Sequence, residues 1–151
     1  MLAQSRLNTL LRTSGQARID SLEAYFVASI EEPDTNLTLK DMAAVAAFAA
    51  KNKGLEAVAD WLYAMYYDDQ MHENVGRSDA YWAKALKAAP TNALPLVQPT
   101  IEHYWAKHLL FQKKQGKEAM ISFRRADLAF RRVGYDKVWG GGRKLSLLAE
   151  C

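Results

Sequence analysis

Apolar residues recur along most of the chain at the three- and four-residue spacing of an α-helix. The pattern predicts seven helices, which cover residues 2–11, 17–31, 38–50, 55–67, 79–89, 100–115 and 117–133. We find no convincing run of alternating apolar and polar residues longer than four, so no strand is predicted. Short connections between helices favour antiparallel neighbours. We therefore predict an all-α fold, a compact bundle of about six to seven antiparallel helices.

The helical pattern ends at Gly134, and a glycine-rich segment follows it. A chain of 151 residues is long enough for one domain with a sizeable core. We expect a single helical domain over residues 1–134. We expect residues 135–151 to form a tail that packs on this domain or extends from it.

Two of the predicted helices begin with the same pattern. Gly54-Leu55-Glu56-Ala57 is followed by Trp61 and Ala64, and Gly116-Lys117-Glu118-Ala119 is followed by Phe123 and Ala126. This arrangement resembles the second helix of tetratricopeptide and Sel1-like helical hairpins, and residues 80–93 resemble the end of such a hairpin. Together the matching pieces cover about a third of the chain. The resemblance implies repeat-like hairpins and a protein-binding scaffold. The two glycines are 62 residues apart, and helix packing alone can also produce such a pattern.

The composition is typical of a globular protein, because 50% of the residues are hydrophobic, 25% are charged and only 4 are prolines. No apolar run approaches the roughly 20 residues that span a bilayer, and the N-terminus does not have the pattern of a secretory signal. The only cysteine is Cys151, which excludes an intrachain disulfide and a cysteine-based metal site. We expect a cytoplasmic protein with no membrane partner.

The charges are unevenly distributed along the chain. Residues 1–72 carry 6 Lys/Arg and 10 Asp/Glu, a net charge of −4, whereas residues 73–151 carry 14 and 7, a net charge of +7. This separation indicates an acidic partner for the C-terminal half, although ordinary solvated surface gives the same distribution.

The 117–133 segment concentrates this positive charge on one side. At about 100° per residue, Ala119, Phe123, Ala126 and Phe130 fall on a core side. The opposite side carries five cations and, among them, two apolar residues: Lys117, Arg124, Arg125, Arg131 and Arg132, with Ile121 and Leu128. Apolar residues surrounded by arginines suit a partner protein or a phosphate backbone. The alternative is structural: the tail folds back and covers Ile121 and Leu128.

The tail contains Gly140-Gly141-Gly142-Arg143-Lys144. Such a turn before a helix can cradle an anion, but the spacing is not that of a P-loop, and a flexible connector has the same composition. We add Arg143 and Lys144 to the candidate binding residues.

Three further groups are weighed as chemical sites. Asp68-Asp69-Gln70-Met71-His72-Glu73 gathers carboxylates and an imidazole, which suits either a metal-dependent hydrolase or a solvated loop. Glu56 and Asp60 are the only charged residues of the 55–67 segment, and this apolar composition predicts a buried central helix. The two carboxylates suit either an acid–base pair or the narrow solvent-exposed edge of that helix. His103 and His108 are five residues apart and do not share a helix face.

No motif predicts a catalytic residue, a metal or a cofactor. We therefore interpret the chain as a non-enzymatic interaction module that binds an acidic protein through the basic side of residues 117–133. The alternative is a nucleic-acid-binding accessory protein that uses the same side together with Arg143 and Lys144. A homodimer is left open as a further form of association.

Overall fold

The computed structural model describes residues 2–31, 39–69 and 75–150. Within these ranges the chain forms eight α-helices and no strand, which confirms the all-α prediction. The helices are α1 (Leu2–Leu11), α2 (Gly15–Glu31), α3 (Leu39–Lys51), α4 (Glu56–Asp69), α5 (Val75–Ala88), α6 (Val97–Phe111), α7 (Gly116–Val133) and α8 (Gly141–Glu150). Two 3-10 turns, Ala89–Thr91 and Tyr135–Lys137, follow α5 and α7. Seven of the eight helices correspond to predicted segments; α8 lies in the predicted tail.

The chain divides into two compact units, residues 1–94 and 95–151. In the first unit α4 contacts α2, α3 and α5. Its Trp61, Leu62 and Ala64 are fully buried, so the prediction of a buried helix here is confirmed. Asp68 ties the end of α4 to α5: its carboxylate accepts hydrogen bonds from the Ser78 hydroxyl and, at 3.0 Å, from the Trp82 indole N–H.

Two helix starts differ from the prediction. α5 begins at Val75, so Ser78 lies inside the helix, where it is buried and bonded to Asp68 instead of capping the N-terminus. α6 begins at Val97, and the N–H of Thr100 donates to the Leu96 carbonyl at 3.1 Å. Pro99 stands in the first turn of α6, where a missing N–H costs nothing. The predicted cap Thr38 lies outside the described residues.

In the second unit α6 and α7 pack along each other. One apolar cluster joins Leu96, Ala126, Phe130 and Val138, and another joins Ala106, Leu109, Ala119 and Phe123. Leu147 and Leu148 of α8 pack against the second cluster. The chain shows no break at residue 134, because α7, the turn Tyr135–Lys137 and α8 belong to the same unit.

The glycine-rich segment forms a tight turn into α8. Gly140 has a φ of +61°, in the left-handed region that favours glycine. A Cβ on Gly141 would lie 2.4 Å from the carbonyl oxygen of Tyr135, so only glycine allows this approach of the two backbones. The N–H of Gly141 donates to the Val138 carbonyl at 3.0 Å. None of the helices within the described ranges combines the length and apolarity needed to cross a membrane.

Candidate functional site

Helix α7 is the longest helix of the second unit and has two very different sides. It ends where Gly134, with a φ of +103°, leaves the helix and donates its N–H to the Phe130 carbonyl at 2.8 Å. Its inner side is buried and consists of Ala119, Ser122, Phe123, Ala126 and Phe130. Its outer side, the basic face of α7, is exposed and consists of Lys117, Ile121, Arg124, Arg125, Leu128, Arg131 and Arg132.

Two large apolar side chains lie uncovered on this face. Ile121 and Leu128 are each 59% exposed. They are seven residues apart, which places them on one side of the helix at a separation of about 10 Å along its axis. Helix α8 does pack on α7, but its Leu147 and Leu148 lie against the cluster around Phe123. The alternative in which the tail covers Ile121 and Leu128 is therefore wrong.

Two of the five cations on the basic face of α7 are held by neighbouring carboxylates. The guanidinium of Arg131 donates to Asp127 at 2.9 Å, and the Tyr135 hydroxyl donates to the same carboxylate at 2.5 Å. Arg125 pairs with Glu102 of α6 at 3.7 Å. In the part of the chain that the structure describes, Lys117, Arg124 and Arg132 form no ion pair. These three cations are therefore available to the carboxylates of a partner.

The Arg125–Glu102 pair joins an exposed group to a buried one. The Arg125 side chain is 63% exposed, whereas the Glu102 side chain is 10% exposed. Burial raises the pKa of Glu102, while Arg125 and a hydrogen bond from Gln98 act in the opposite direction. An anion that drew Arg125 away would leave this carboxylate buried without its counterion, which is costly. Arg125 is thus better suited to hold α6 against α7 than to bind a ligand.

A hollow lies on each flank of the basic face. Beside Ile121 is a groove of about 780 Å³, and beside Leu128 is a smaller pocket of about 260 Å³. The pocket beside Leu128 is lined by Glu102, Arg125 and Arg132. The groove beside Ile121 is lined mainly by apolar side chains. We call it the Ile121 groove; its lining is Leu110, Gly116, Lys117, Ala119, Met120, Ile121, Phe123, Arg124 and Glu150.

Lys144, which we predicted to be a binding residue, is not on the surface. Only 5% of it is exposed, and its ammonium donates to the Trp139 carbonyl at 2.7 Å. The ammonium lies over the rings of Phe130, Trp139 and Tyr104, at 5.6, 5.6 and 5.8 Å from their centroids. Such contacts replace water around the charge. Arg143 is exposed but lines a different groove, together with Lys107 and Phe111.

His103 lies near this buried lysine. Its role could not be predicted from the sequence, where the only signal was its place in an apolar helix. Its ring centroid is 5.3 Å from that of Tyr104 and 5.4 Å from that of Phe123. Burial, together with the charges of Lys144 and Lys107, lowers the pKa of His103 to about 3. His103 is therefore a neutral core group near pH 7. His108 is also buried and stacks on Trp105 at 5.2 Å.

The predicted carboxylate sites have structural partners. Asp68 is engaged by Ser78 and Trp82, and the rest of the Asp68–Glu73 cluster lies at or beyond the edge of the described residues. Glu56 accepts a hydrogen bond from the N–H of Gly54 at 2.9 Å. Partial burial raises the pKa of Asp60, with Lys84 acting against it. Within the described ranges, no group of three or more His, Cys, Asp or Glu side chains could hold a metal ion.

A comparison with protein-family models, curated proteins and solved structures found no match to this chain. The resemblance to tetratricopeptide and Sel1-like hairpins therefore stays a prediction. The residues that carry it have similar positions in the two helices, since Trp61 and Ala64 of α4 are as deeply buried as Phe123 and Ala126 of α7.

Proposed function

We propose that the chain is a non-enzymatic interaction module that binds an acidic surface of another protein through the basic face of α7. The observation that carries this proposal is the exposure of Ile121 and Leu128 in the middle of that face, with α8 packed on the helix and neither residue covered. A solvated basic helix needs no branched apolar residues at its centre. Interfaces, in contrast, combine apolar anchors with arginines.

In the proposed mechanism, cations of α7 first attract the partner electrostatically, and apolar side chains of α7 are then buried against it. Lys117, Arg124 and Arg132 attract carboxylates at long range, which raises the association rate at low salt. Ile121 and Leu128 then lose their water against the partner. Full burial of an Ile or Leu side chain contributes about 1.5–3 kcal/mol, so covering the exposed part of these two contributes about 2–3.5 kcal/mol.

A protein partner fits the charges better than a nucleic acid does. Glu102 and Asp127 already engage Arg125 and Arg131, which leaves only Lys117, Arg124 and Arg132 for a run of phosphates along α7. The burial of Lys144 removes one of the cations on which a phosphate-binding surface would have relied. A second copy of this chain is a poor partner for the same face, because a two-fold interface would bring like charges together.

Fluorescence anisotropy with two labelled probes tests the proposal. The first probe is a designed acidic helical peptide with one leucine-rich side, and the second is a random-sequence single-stranded DNA. The variants are Ile121→Ser/Leu128→Ser and Arg124→Glu/Arg132→Glu. A matched control is Lys51→Glu/Lys53→Glu, which makes the same change in net charge on exposed residues of the first unit.

We expect the wild type to bind the peptide, both α7 double variants to weaken it by about tenfold or more, and the control to leave it unchanged. Tighter binding of the DNA, with a steep salt dependence that Arg124→Glu/Arg132→Glu abolishes, would favour the nucleic-acid function instead. Absence of peptide binding at low salt, or an Ile121→Ser/Leu128→Ser variant with wild-type affinity, contradicts the proposal.

A further inference from the structure

The Ile121 groove is the larger of the two hollows beside α7, and its position limits what can bind there. Its lining comes from the end of α6, at Leu110, and from the first turns of α7, at Met120 and Ile121. Glu150, near the end of α8, is the only part of that helix in the lining. The volume of about 780 Å³ lies in the range of cavities that hold a whole ligand, so it accommodates more than one side chain.

The lining of the groove is apolar, and its charges are all at the rim. Apolar surface is supplied by Leu110 and Met120, which are partly buried, and by the exposed Ile121. Methionine adapts to irregular apolar shapes because its side chain is flexible and polarizable. A small polar ligand needs several converging hydrogen-bond groups at the base of its pocket; this lining offers apolar surface instead. The groove therefore suits the apolar side of a helix better than a polar metabolite.

The charges at the rim are asymmetric. Lys117 and Arg124 stand on the α7 side, and both are exposed. Neither forms an ion pair with another described residue. Glu150 stands on the α8 side and is also exposed. Carboxylates of a bound segment are stabilised along the α7 edge and repelled along the α8 edge.

From this geometry we infer that the Ile121 groove receives one helical segment of the partner, with bulky apolar residues at i, i+3 and i+4, and with carboxylates on only one edge of that apolar stripe. The inference rests on the proposed function and names the chemistry of the partner. The apolar stripe fills the groove between Leu110 and Ile121. The acidic edge lies along Lys117 and Arg124, and the edge facing Glu150 is neutral or basic.

Two substitutions to arginine distinguish binding in the Ile121 groove from general electrostatic attraction to α7. Ile121→Arg and Leu128→Arg affect residues of equal exposure, 59%, on the same face of the same helix, and they add the same charge. Only Ile121 lines the groove. We expect Ile121→Arg to weaken binding of an acidic-edged, leucine-rich helical peptide by about tenfold or more, and Leu128→Arg, which changes an anchor outside the groove, to weaken it several-fold less. Met120→Arg, checked for folding by circular dichroism, should match Ile121→Arg.

Two designed peptides test whether the carboxylates of the bound helix must lie on one edge of its apolar stripe. Both have the same apolar stripe and the same composition, but one carries glutamates on one edge and lysines on the other, and its counterpart carries them interspersed on both. We expect the one-edged peptide to bind more tightly, and Glu150→Gln to reduce the difference.

The outcomes distinguish the inference from the proposed function. If the wild type binds the peptides with a dependence on Arg124 and Arg132, but Ile121→Arg and Leu128→Arg behave alike, the groove inference is overturned and the proposed function stands. If no acidic peptide binds the wild type, the proposed function fails first. Tighter binding of oleate or of vesicles containing anionic lipid than of any peptide, lost on Ile121→Arg, would overturn the choice of a helix as the occupant.

Discussion

The buried, neutral state of His103 gives a quantitative prediction about pH. In the unfolded chain a histidine takes up a proton near pH 6.5, whereas the folded pKa of His103 is lowered to about 3 by burial and by Lys144 and Lys107. Between these two values the unfolded state binds more protons than the folded state. The contribution of His103 to stability is therefore fully present above pH 6.5 and is lost as the pH falls toward 3.

The size of the effect follows from the separation of the two pKa values. Each pH unit below 6.5 removes about 1.4 kcal/mol, so the free energy of unfolding should lose about 2 kcal/mol through His103 between pH 7 and pH 5. The raised pKa of Glu102 acts in the opposite direction, because a carboxyl that protonates more readily when folded gains stability as the pH falls. The pH dependence of the free energy of unfolding of the wild type alone therefore does not identify the contribution of His103.

The assay compares the wild type with His103→Gln, which does not titrate, by urea unfolding at pH 7, 6 and 5. Glu102 and the other carboxyls are present in both proteins, so the difference between the two unfolding curves isolates His103. The NMR signal of the His103 ring proton provides a direct reading and should stay at its neutral position down to pH 4.5. An NMR titration midpoint of the His103 ring proton near pH 6.5 would refute the reasoning. A difference in stability between the wild type and His103→Gln that does not depend on pH would also refute it.

Three other predictions concern packing inside each unit, and thermal and urea unfolding of four variants test them. Gly141→Ala should destabilise by about 1–3 kcal/mol, because its Cβ meets the Tyr135 carbonyl, whereas Gly142→Ala, which meets nothing within 4 Å, should be neutral or stabilising. Asp68→Ala should cost about 2 kcal/mol, since the Trp82 indole N–H loses its acceptor and the buried Ser78 hydroxyl keeps only the Ala64 carbonyl, at 3.3 Å. An unchanged unfolding midpoint would contradict this. Tyr135→Phe should cost about 1 kcal/mol through its lost hydrogen bond to Asp127.

The helices were predictable because each one has an apolar side with a helical period, and that period is a local property of the sequence. The two errors at helix starts have a common cause. Ser78 and Thr100 are residue types that cap helices, and local reasoning placed them at N-termini. In the fold Ser78 instead bonds to Asp68, ten residues earlier in the chain, and Pro99 is accommodated inside the first turn of α6.

The basic face of α7 could be described from its helical period, including the position of Ile121 and Leu128 on it. The pairing of Arg125 could not, because its partner Glu102 reaches the face from α6. Lys144 was misassigned for a similar reason. A lysine is almost always exposed, and its burial here depends on Tyr104, Phe130 and Trp139, which come from three separate parts of the chain.

The aromatic surroundings of Lys144 also make its amine a reporter of local opening. Acylating reagents attack neutral, accessible amines, so Lys144 should react only when α8 detaches from Tyr104 and Phe130, whereas exposed Lys117 reacts at once. The ratio of the two labelling rates, followed by mass spectrometry, measures the free energy of that detachment in a single sample. A partner that occupies the Ile121 groove and touches Glu150 would hold α8 in place. Its binding should then slow the acylation of Lys144, a residue it does not contact.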